Sequence, residues 1–307
     1  MPSSVFVTGG SGFVGHAVID ELVRRNYDVV ALAGRRKIDD HVGAVRVVSG
    51  SLFEPKSLDA ALGGCDAIIH LVGIIMEKRG KGITFERIHF DATKAIVDAA
   101  RRNSIRRYIH MSALGTRPDA VSTYHKTKYR AERYVQQSGL DWTIFRPSLV
   151  HGPRGEFMQM EAMWARKKSP PPMFFIPFMP YFGGKHAGKL QPIYVNDVAR
   201  AFVDALANPR TIGEIYPLAG PDQLTWPQLH NAVANAVVGH RRWVASMPVP
   251  VAKILAAIGL GRLLGFNWDQ VVMSQEDNTA DISKVKDHFG WEPQAFETTL
   301  KSYASHL

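Results

Sequence analysis

Cysteine is nearly absent. Cys65 is the only one in 307 residues, so the chain forms no internal disulfide, and a reducing compartment suits it. It precedes the apolar run in "ALGGCDAIIHL" and reads as a structural residue. Long apolar runs are missing too. None reaches the roughly 20 residues that cross a bilayer. "MPSSVFVTGG" enters a β-rich run at once, which predicts no signal peptide. A cytoplasmic location is expected, with the inner face of a membrane as its variant. The 12 histidines include no metal-binding spacing such as HExxH, so no metal site is expected. His70, His89, His110 and His125 read as packing and surface residues. The net charge of +9 comes from 37 Lys and Arg against 28 Asp and Glu. It is scattered over small clusters such as Arg35-Arg36-Lys37 and Arg166-Lys167-Lys168. With no basic tail and no nucleic-acid module, nucleic acid is not an expected partner. An anionic ligand, an acidic lipid surface or an acidic protein is.

Glycine is present where it matters. "SVFVTGGSGFVGHAVIDELVRRNYDVVAL" reads as strand, glycine loop, helix, strand. Gly9, Gly12 and Gly15 are spaced GxxGxxG at the turn, and Phe13 and Val14 open the helix. Such a turn lets backbone approach a pyrophosphate, which then meets free N–H groups and the positive end of the helix dipole. A glycine triplet alone is weak evidence. One that opens a complete βαβ unit predicts a dinucleotide site.

An acid is missing where such a site usually has one. At the end of the second strand, Asp or Glu normally takes the adenine-ribose hydroxyls. Here "VVALAGRR" places Ala33 there, followed by Arg35 and Arg36. A guanidinium suits a 2′-phosphate. The expected cofactor is therefore NADP(H) rather than NAD(H).

The alternation continues through "AVRVVSG", "EPKSLDAAL", the nearly all-apolar "CDAIIHLVG", the long helical pattern "ITFERIHFDATKAIVDAARRN", "IRRYIHMSALG", a helix carrying "YHKTKYRAERYVQQSG", and "DWTIFRPSLVHGP". It predicts an α/β Rossmann fold, a doubly wound parallel sheet with its ligand across the carboxyl ends of the strands. Those ends add Ser51, Leu52, Leu71, Val72, Gly73, Met111, Pro147, Ser148, Leu149 and Val150 to the expected cofactor contacts. After Pro153 the pattern breaks. "SPPPMFFIPFMPYFGGKHAGK" is too rich in proline for a helix and reads as a loop. "QPIYVNDVARAFVDALANP" returns to strand and helix. The expected division is a nucleotide domain at 1–153, rejoined by about 190–220, and a small discontinuous C-terminal lobe from 154–189 and 221–307. Within the lobe, "PVPVAKILAAIGLGRLLGF" reads as lobe core or as a membrane-surface segment.

"YHKTK" carries chemistry. Tyr124 and Lys128 are four apart, hence on one helix face. A tyrosine beside an ammonium is a proton donor for near-neutral pH, and its bland counterpart is an exposed amphipathic helix.

"TGGSGFVG", "IIHLVG", "YIHMSALG", "YHKTK", "FRPSLVHGP" and "QPIYVNDVARA", in that order, resemble the extended and atypical short-chain dehydrogenases/reductases, the NAD-dependent epimerase/dehydratase-like group. "HMSALG", "GLDWTIFRPS" and "LQPIYVNDVA" are most similar to the branch with the NADPH-binding accessory subunit of respiratory complex I and its bacterial relatives. The resemblance implies a catalytic role for Tyr124 as general acid/base, Lys128 as its partner on the nicotinamide ribose, and Ser112 as the polarising hydroxyl. In the register of extended members that last position falls on Ala113, with Ser122 and Thr123 as substitutes. Members of the branch hold NADPH as a structural element, so two expectations stand. One is a cofactor holder at a membrane protein complex, with peripheral membrane association. The other is an oxidoreductase or epimerase/dehydratase acting on a small apolar carbonyl or quinone.

Overall fold

The computed structural model describes residues 2–33, 43–169, 176–178, 188–261, 266, 268–274, 276 and 278–307. The chain forms two compact units. In chain order the first unit supplies β1 (Ser4–Thr8), α1 (Phe13–Arg24), β2 (Asp28–Ala33), β3 (Val45–Ser49), α2 (Pro55–Leu62), β4 (Ala67–His70), a π-helical turn (Glu86–Asp91) leading into α3 (Ala92–Arg102), β5 (Arg107–Met111), α4 (Thr123–Gln136) and β6 (Asp141–Pro147). The second unit follows with β7 (Val150–His151), α5 (Glu156–Ala165), β8 (Ile176–Phe178), β9 (Lys189–Leu190) and β10 (Ile193–Tyr194). The chain returns to the first unit with α6 (Val195–Ala207) and β11 (Glu214–Leu218), then to the second with β12 (Leu224–Thr225), α7 (Trp226–Val238), β13 (Val244–Ser246), α8 (Val249–Ala257) and α9 (Trp268–Met273). α10 (Ser283–Phe289) belongs to the first unit and α11 (Phe296–Tyr303) to the second.

The first unit is one parallel sheet of order β11-β6-β5-β4-β1-β2-β3. Strand order reverses between β1 and β4, which makes the crevice beyond their carboxyl ends the ligand-binding switch point of a Rossmann sheet. Val5, Phe6 and Val7 of β1 and Ile68 and Ile69 of β4 are fully buried. Strands covered on both faces by helices need such continuous apolar runs. On one face Phe6, Leu58, Ile68, Val97, Tyr108 and Ile144 join β1, α2, β4, α3, β5 and β6 into a core. α1 buries Val18, Ile19 and Leu22 and packs against α6. Cys65 is buried, and desolvation pushes its thiol up, as a structural residue requires.

The second unit has its own core of Met158, Leu229, Val233, Phe296, Leu300 and Tyr303, from α5, α7 and α11. α7 starts as its sequence dictates. Thr225 and Gln228 form a capping box, with Pro227 in the first turn. Of the proline-rich segment, β8 pairs in parallel with β13; residues 170–175 and 179–187 lie outside the described ones.

The units meet the chain at different points from those the sequence suggests. The first comprises Met1–Pro147, Val195–Leu218 and Ile282–Trp291. The expected lobe, 221–307, therefore loses Ile282–Trp291, for clear reasons. Lys284 pairs with Glu214, the Tyr216 hydroxyl lies 2.6 Å from His288 Nδ1, and Trp291 Nε1 donates to Asp204 at 2.7 Å. The Phe289 ring packs on Phe145 and Tyr216.

Candidate functional site

The glycine loop is built for close backbone approach. Gly9 sits at φ +76°, and a Cβ on it would lie 3.0 Å from the Leu71 carbonyl carbon. A Cβ on Gly15 would lie 2.2 Å from Gly9 O. Gly12 N–H closes the loop on Gly9 O at 3.0 Å. Gly12 is also the N-cap of α1, and it brings no side-chain hydrogen bond and no acid into the first turn. The first-turn N–H groups of α1, from Phe13 and Val14, have no intrahelical acceptor. Dense backbone, an uncapped helix start and no competing carboxylate fit a pyrophosphate.

Across the switch point, β4 ends at His70 and leads into Leu71, Val72 and Gly73. His70 is held in one tautomer. Thr93 Oγ1 donates to His89 O at 2.6 Å, so it accepts from His70 Nε2, leaving His70 Nδ1 to accept from Thr8 Oγ1 at 2.7 Å. Burial pushes this imidazole down to about 3, so it is neutral.

α4 presents the Tyr–Lys pair. Ser122 caps it, accepting from His125 N–H at 3.2 Å. That bond commits the Ser122 oxygen to the backbone. Lys128 is buried, 3% exposed. Its ammonium donates to Met111 O at 3.0 Å. A Cβ on Gly73 would stand 3.2 Å from Lys128 Nζ, a tight approach that would shift the ammonium by a few tenths of an ångström. Burial pushes Lys128 down to about 8, opposed by the charge of Glu132. Glu132 is held in turn by a bidentate bond from Arg146 of β6. Tyr124 stands edge-on to Phe85, His89 and His125, at centroid distances of 5.8, 5.1 and 5.2 Å. Burial pushes its phenol up to about 12. Desolvation is the cause, and no charge acts against it.

His89, a packing residue by its helical pattern, makes polar contacts beside the Tyr–Lys helix. This residue rides the π-helical turn before α3, where one extra residue per turn shifts the face a side chain presents. A helical count along "ITFERIHFDATK" carries no sign of that shift. His89 Nδ1 lies 2.9 Å from Thr127 Oγ1, and Nε2 lies 3.2 Å from Ile74 N and 3.0 Å from Ile74 O. Thr127 is within 2.9–3.0 Å of the Thr123 and Tyr124 carbonyls. His89 thus bridges the loop after β4 to the helix of the Tyr–Lys pair.

Ser112 follows β5 and is buried. Its N–H donates to Phe145 O at 2.7 Å and its hydroxyl faces Thr116 Oγ1 at 3.3 Å. Ala113, the other register, accepts from Thr116 N–H and offers no hydroxyl. Ser51 Oγ accepts from Phe53 N–H after β3, and Leu52 packs on the core. Pro147 ends β6. Ser148, Leu149 and Val150 belong to the second unit, where Ser148 bonds Gln191 O, Leu149 packs on the core and Val150 pairs with Ile193. Arg35 and Arg36 lie outside the described residues; β2 closes at Ala33. Among the described residues no cluster of His, Cys, Asp and Glu could hold a metal ion.

Comparison with known proteins agrees with this geometry. Residues 9–162 match the NAD(P)H-binding family model. The chain is 30% identical over 260 residues to the mitochondrial NADH dehydrogenase [ubiquinone] 1 alpha subcomplex subunit 9 of Arabidopsis thaliana, covering 82% of this chain and 62% of that protein. It is 24% identical to the NAD(P)H azoreductase of Xenophilus azovorans, over 83% of this chain and 82% of that one. The fold matches UDP-glucose 4-epimerase of Thermotoga maritima with a TM-score of 0.76 at 18% identity, covering 99% and 98% of the two chains. The matched model, with the glycine cradle and the strand order, places the chain in the NAD(P)H-binding family, and the chain is similar to the complex I alpha subcomplex subunit 9.

Proposed function

We propose that the chain clasps NADP(H), in preference to NAD(H), and keeps it as a held group at a membrane protein complex. The observation that carries this reading is the state of the Tyr–Lys pair. A phenol pushed up to about 12 by desolvation keeps its proton at neutral pH, so it is not poised as a base. Lys128 is a buried cation with one hydrogen bond, to Met111 O. Its remaining donors suit the nicotinamide-ribose hydroxyls. Gly9, Gly12, Phe13, Val14 and Gly15 would take the pyrophosphate, with Ser51, Leu52, Leu71, Val72, Gly73 and Met111 along the crevice and Pro147 to Val150 beyond β6. The missing acid at Ala33, with Arg35 and Arg36 next in sequence, supports the 2′-phosphate. The likeness to a complex I subunit supports the partner.

A second reading is a reductase, favoured by the likeness to an NAD(P)H azoreductase along most of both chains. There the bound dinucleotide supplies hydride. Tyr124, aided by Lys128 and Ser112, would deliver the proton to a small apolar carbonyl or quinone.

Calorimetry with NADPH and NADH tests the cofactor. NADPH should bind more tightly, and Arg35→Ala or Arg36→Ala should cost about 1.5–3 kcal/mol if that guanidinium holds the phosphate. Equal affinities in the unaltered protein would remove the preference. Tyr124→Phe separates the two functions. A holder should lose little beyond modest affinity. An enzyme should keep its affinity and lose about 10²–10⁴-fold in NADPH oxidation by quinones, aldehydes or ketones. Tyrosine-dependent turnover with any of them would overturn the holder.

A further inference from the structure

We propose that the outward face of α8 is a docking surface for an anionic lipid bilayer. The inference is independent of the dinucleotide reading and rests on the second unit alone. α8 is apolar on both sides. Its inner face, Val249 and Ala252, packs with Phe266 and Val271 into a small core, with Leu255 and Ala256 against it. Its outer face carries Val251, Ile254 and Ile258, 46%, 61% and 63% exposed. Spacings of three and four place them on one stripe. Leu260 just beyond the helix and Trp268 at the start of α9 are also about half exposed. Single exposed aliphatics are ordinary on a protein surface. An ordered stripe continued by a tryptophan is a recognition surface.

Charge selects the occupant. No Asp or Glu occurs between Asp222 and Asp269, while Arg241, Arg242, Lys253 and Arg262 do. From Gln223 to Trp268 the charged residues are therefore all cations, with Asp269 next after the tryptophan. Lys253 holds its ammonium 5.5 Å from the centroid of the Trp268 ring. An indole beside a long-stemmed cation is the pairing found at the headgroup level of membranes, where the ring bridges apolar and polar layers and the stem reaches the phosphates. Among the described residues no helix is long and apolar enough to cross a membrane, so α8 lies on the bilayer rather than in it. An apolar protein surface would want the stripe but would have no use for the cations that stand along α8's stretch of sequence.

Flotation of the full chain with vesicles tests the assignment. Vesicles of phosphatidylcholine alone are compared with vesicles containing about a third phosphatidylglycerol, at low and high salt. The chain should float with the anionic vesicles, bind neutral ones about tenfold more weakly or less, and be released by salt. Lys253→Gln should weaken flotation about fivefold, the effect of one charge near the surface. Ile254→Glu with Ile258→Glu should abolish it while leaving NADPH affinity by calorimetry unchanged, which shows the fold intact. Should that pair misfold, Ile254→Ser with Ile258→Ser carries the same test. Absence of flotation on both vesicles would assign the face to a protein partner and overturn the proposal. So would equal binding to neutral and anionic vesicles, or flotation that the altered stripe leaves untouched.

Discussion

The two ends of β5 each bury a cation, and the two are treated in opposite ways. At the entry end, Arg107 donates to Asp141 O, Thr143 Oγ1, Ala205 O and Thr211 Oγ1, all within 2.9 Å. At the carboxyl end, Lys128 reaches Met111 O and has no other hydrogen bond among the described residues. Both feel burial. Arg107 is pushed down to about 10 and Lys128 to about 8. A buried charge is tolerable when its donors are satisfied. Arg107 is satisfied by the fold, and it ties β5 to β6, α6 and the loop before β11. Lys128 is left with donors over, on the side of the sheet where Rossmann ligands bind. One cation serves the architecture, and the other keeps the donors that the proposed ribose contact would use.

Exchanging each cation for methionine gives the largest contrast. Arg107→Met strands several buried acceptors, and should cost about 3–5 kcal/mol in urea unfolding at neutral pH. Lys128→Met removes a poorly compensated charge, so stability should hold or rise. NADPH affinity should fall by the about 1.5–3 kcal/mol of a charge-assisted bond. A large stability loss in the lysine variant, with affinity unchanged, would erase the distinction between the two ends.

The pH dependence sharpens it. Lys128 binds its proton less tightly when folded, at about 8, than an ordinary lysine does at 10.5. Between those pH values the unfolded chain carries more protons than the folded one, so this group makes stability rise with pH. Its burial penalty is fully present below about pH 8 and is relieved as pH climbs toward 10.5. The shift corresponds to about 3 kcal/mol. Urea unfolding from pH 7 to 10 should show the rise in the unaltered protein and a smaller one in Lys128→Met. NADPH affinity should move the other way, falling as the ammonium loses its proton. Parallel profiles for the two proteins would mean that Lys128 titrates as in water.

Much of the satisfied architecture was legible in the sequence, and much of the uncommitted chemistry was not. Gly9 and Gly15 are glycines because backbone fills the space where a Cβ would sit, and their spacing announces the loop. Thr225, Pro227 and Gln228 announce α7 because a helix start is a local event. Arg107 looked like one basic residue in "IRRYIHMSALG", since its acceptors reach as far along the chain as Thr211. The return of Ile282–Trp291 to the first unit likewise depends on partners at Asp204 and Glu214. His89 was hidden by a π-helical turn that breaks the helical count. The exposed stripe of α8 was readable as apolar but not as outward, because periodicity cannot tell which of two apolar faces meets the core.

The smallest effect lies between the two cations, on β5 itself. Tyr108 is fully buried, and its hydroxyl has no hydrogen-bond partner among the described residues. Burial pushes its phenol well up, so it is neutral. Its ring lies 6.3 Å from His70 and from His110, the second nearly parallel. His110 is buried, and neither ring nitrogen has a partner among the described residues. The strand thus runs from a fully satisfied arginine, through two polar groups with no partner, to the end where Lys128 waits. An unsatisfied hydroxyl in the core is a cost that the ring packing outweighs. Tyr108→Phe keeps the ring and deletes the hydroxyl, so stability should rise by up to about 1 kcal/mol, less whatever the small void takes back. Urea unfolding with an unchanged m-value would report it, and NADPH affinity should not move. A loss of stability would mean that the hydroxyl is satisfied, and that the shortage of hydrogen bonds on β5 is confined to its carboxyl end. A fall in NADPH affinity at unchanged stability would mean that the shortage serves the ligand from the middle of the strand onward.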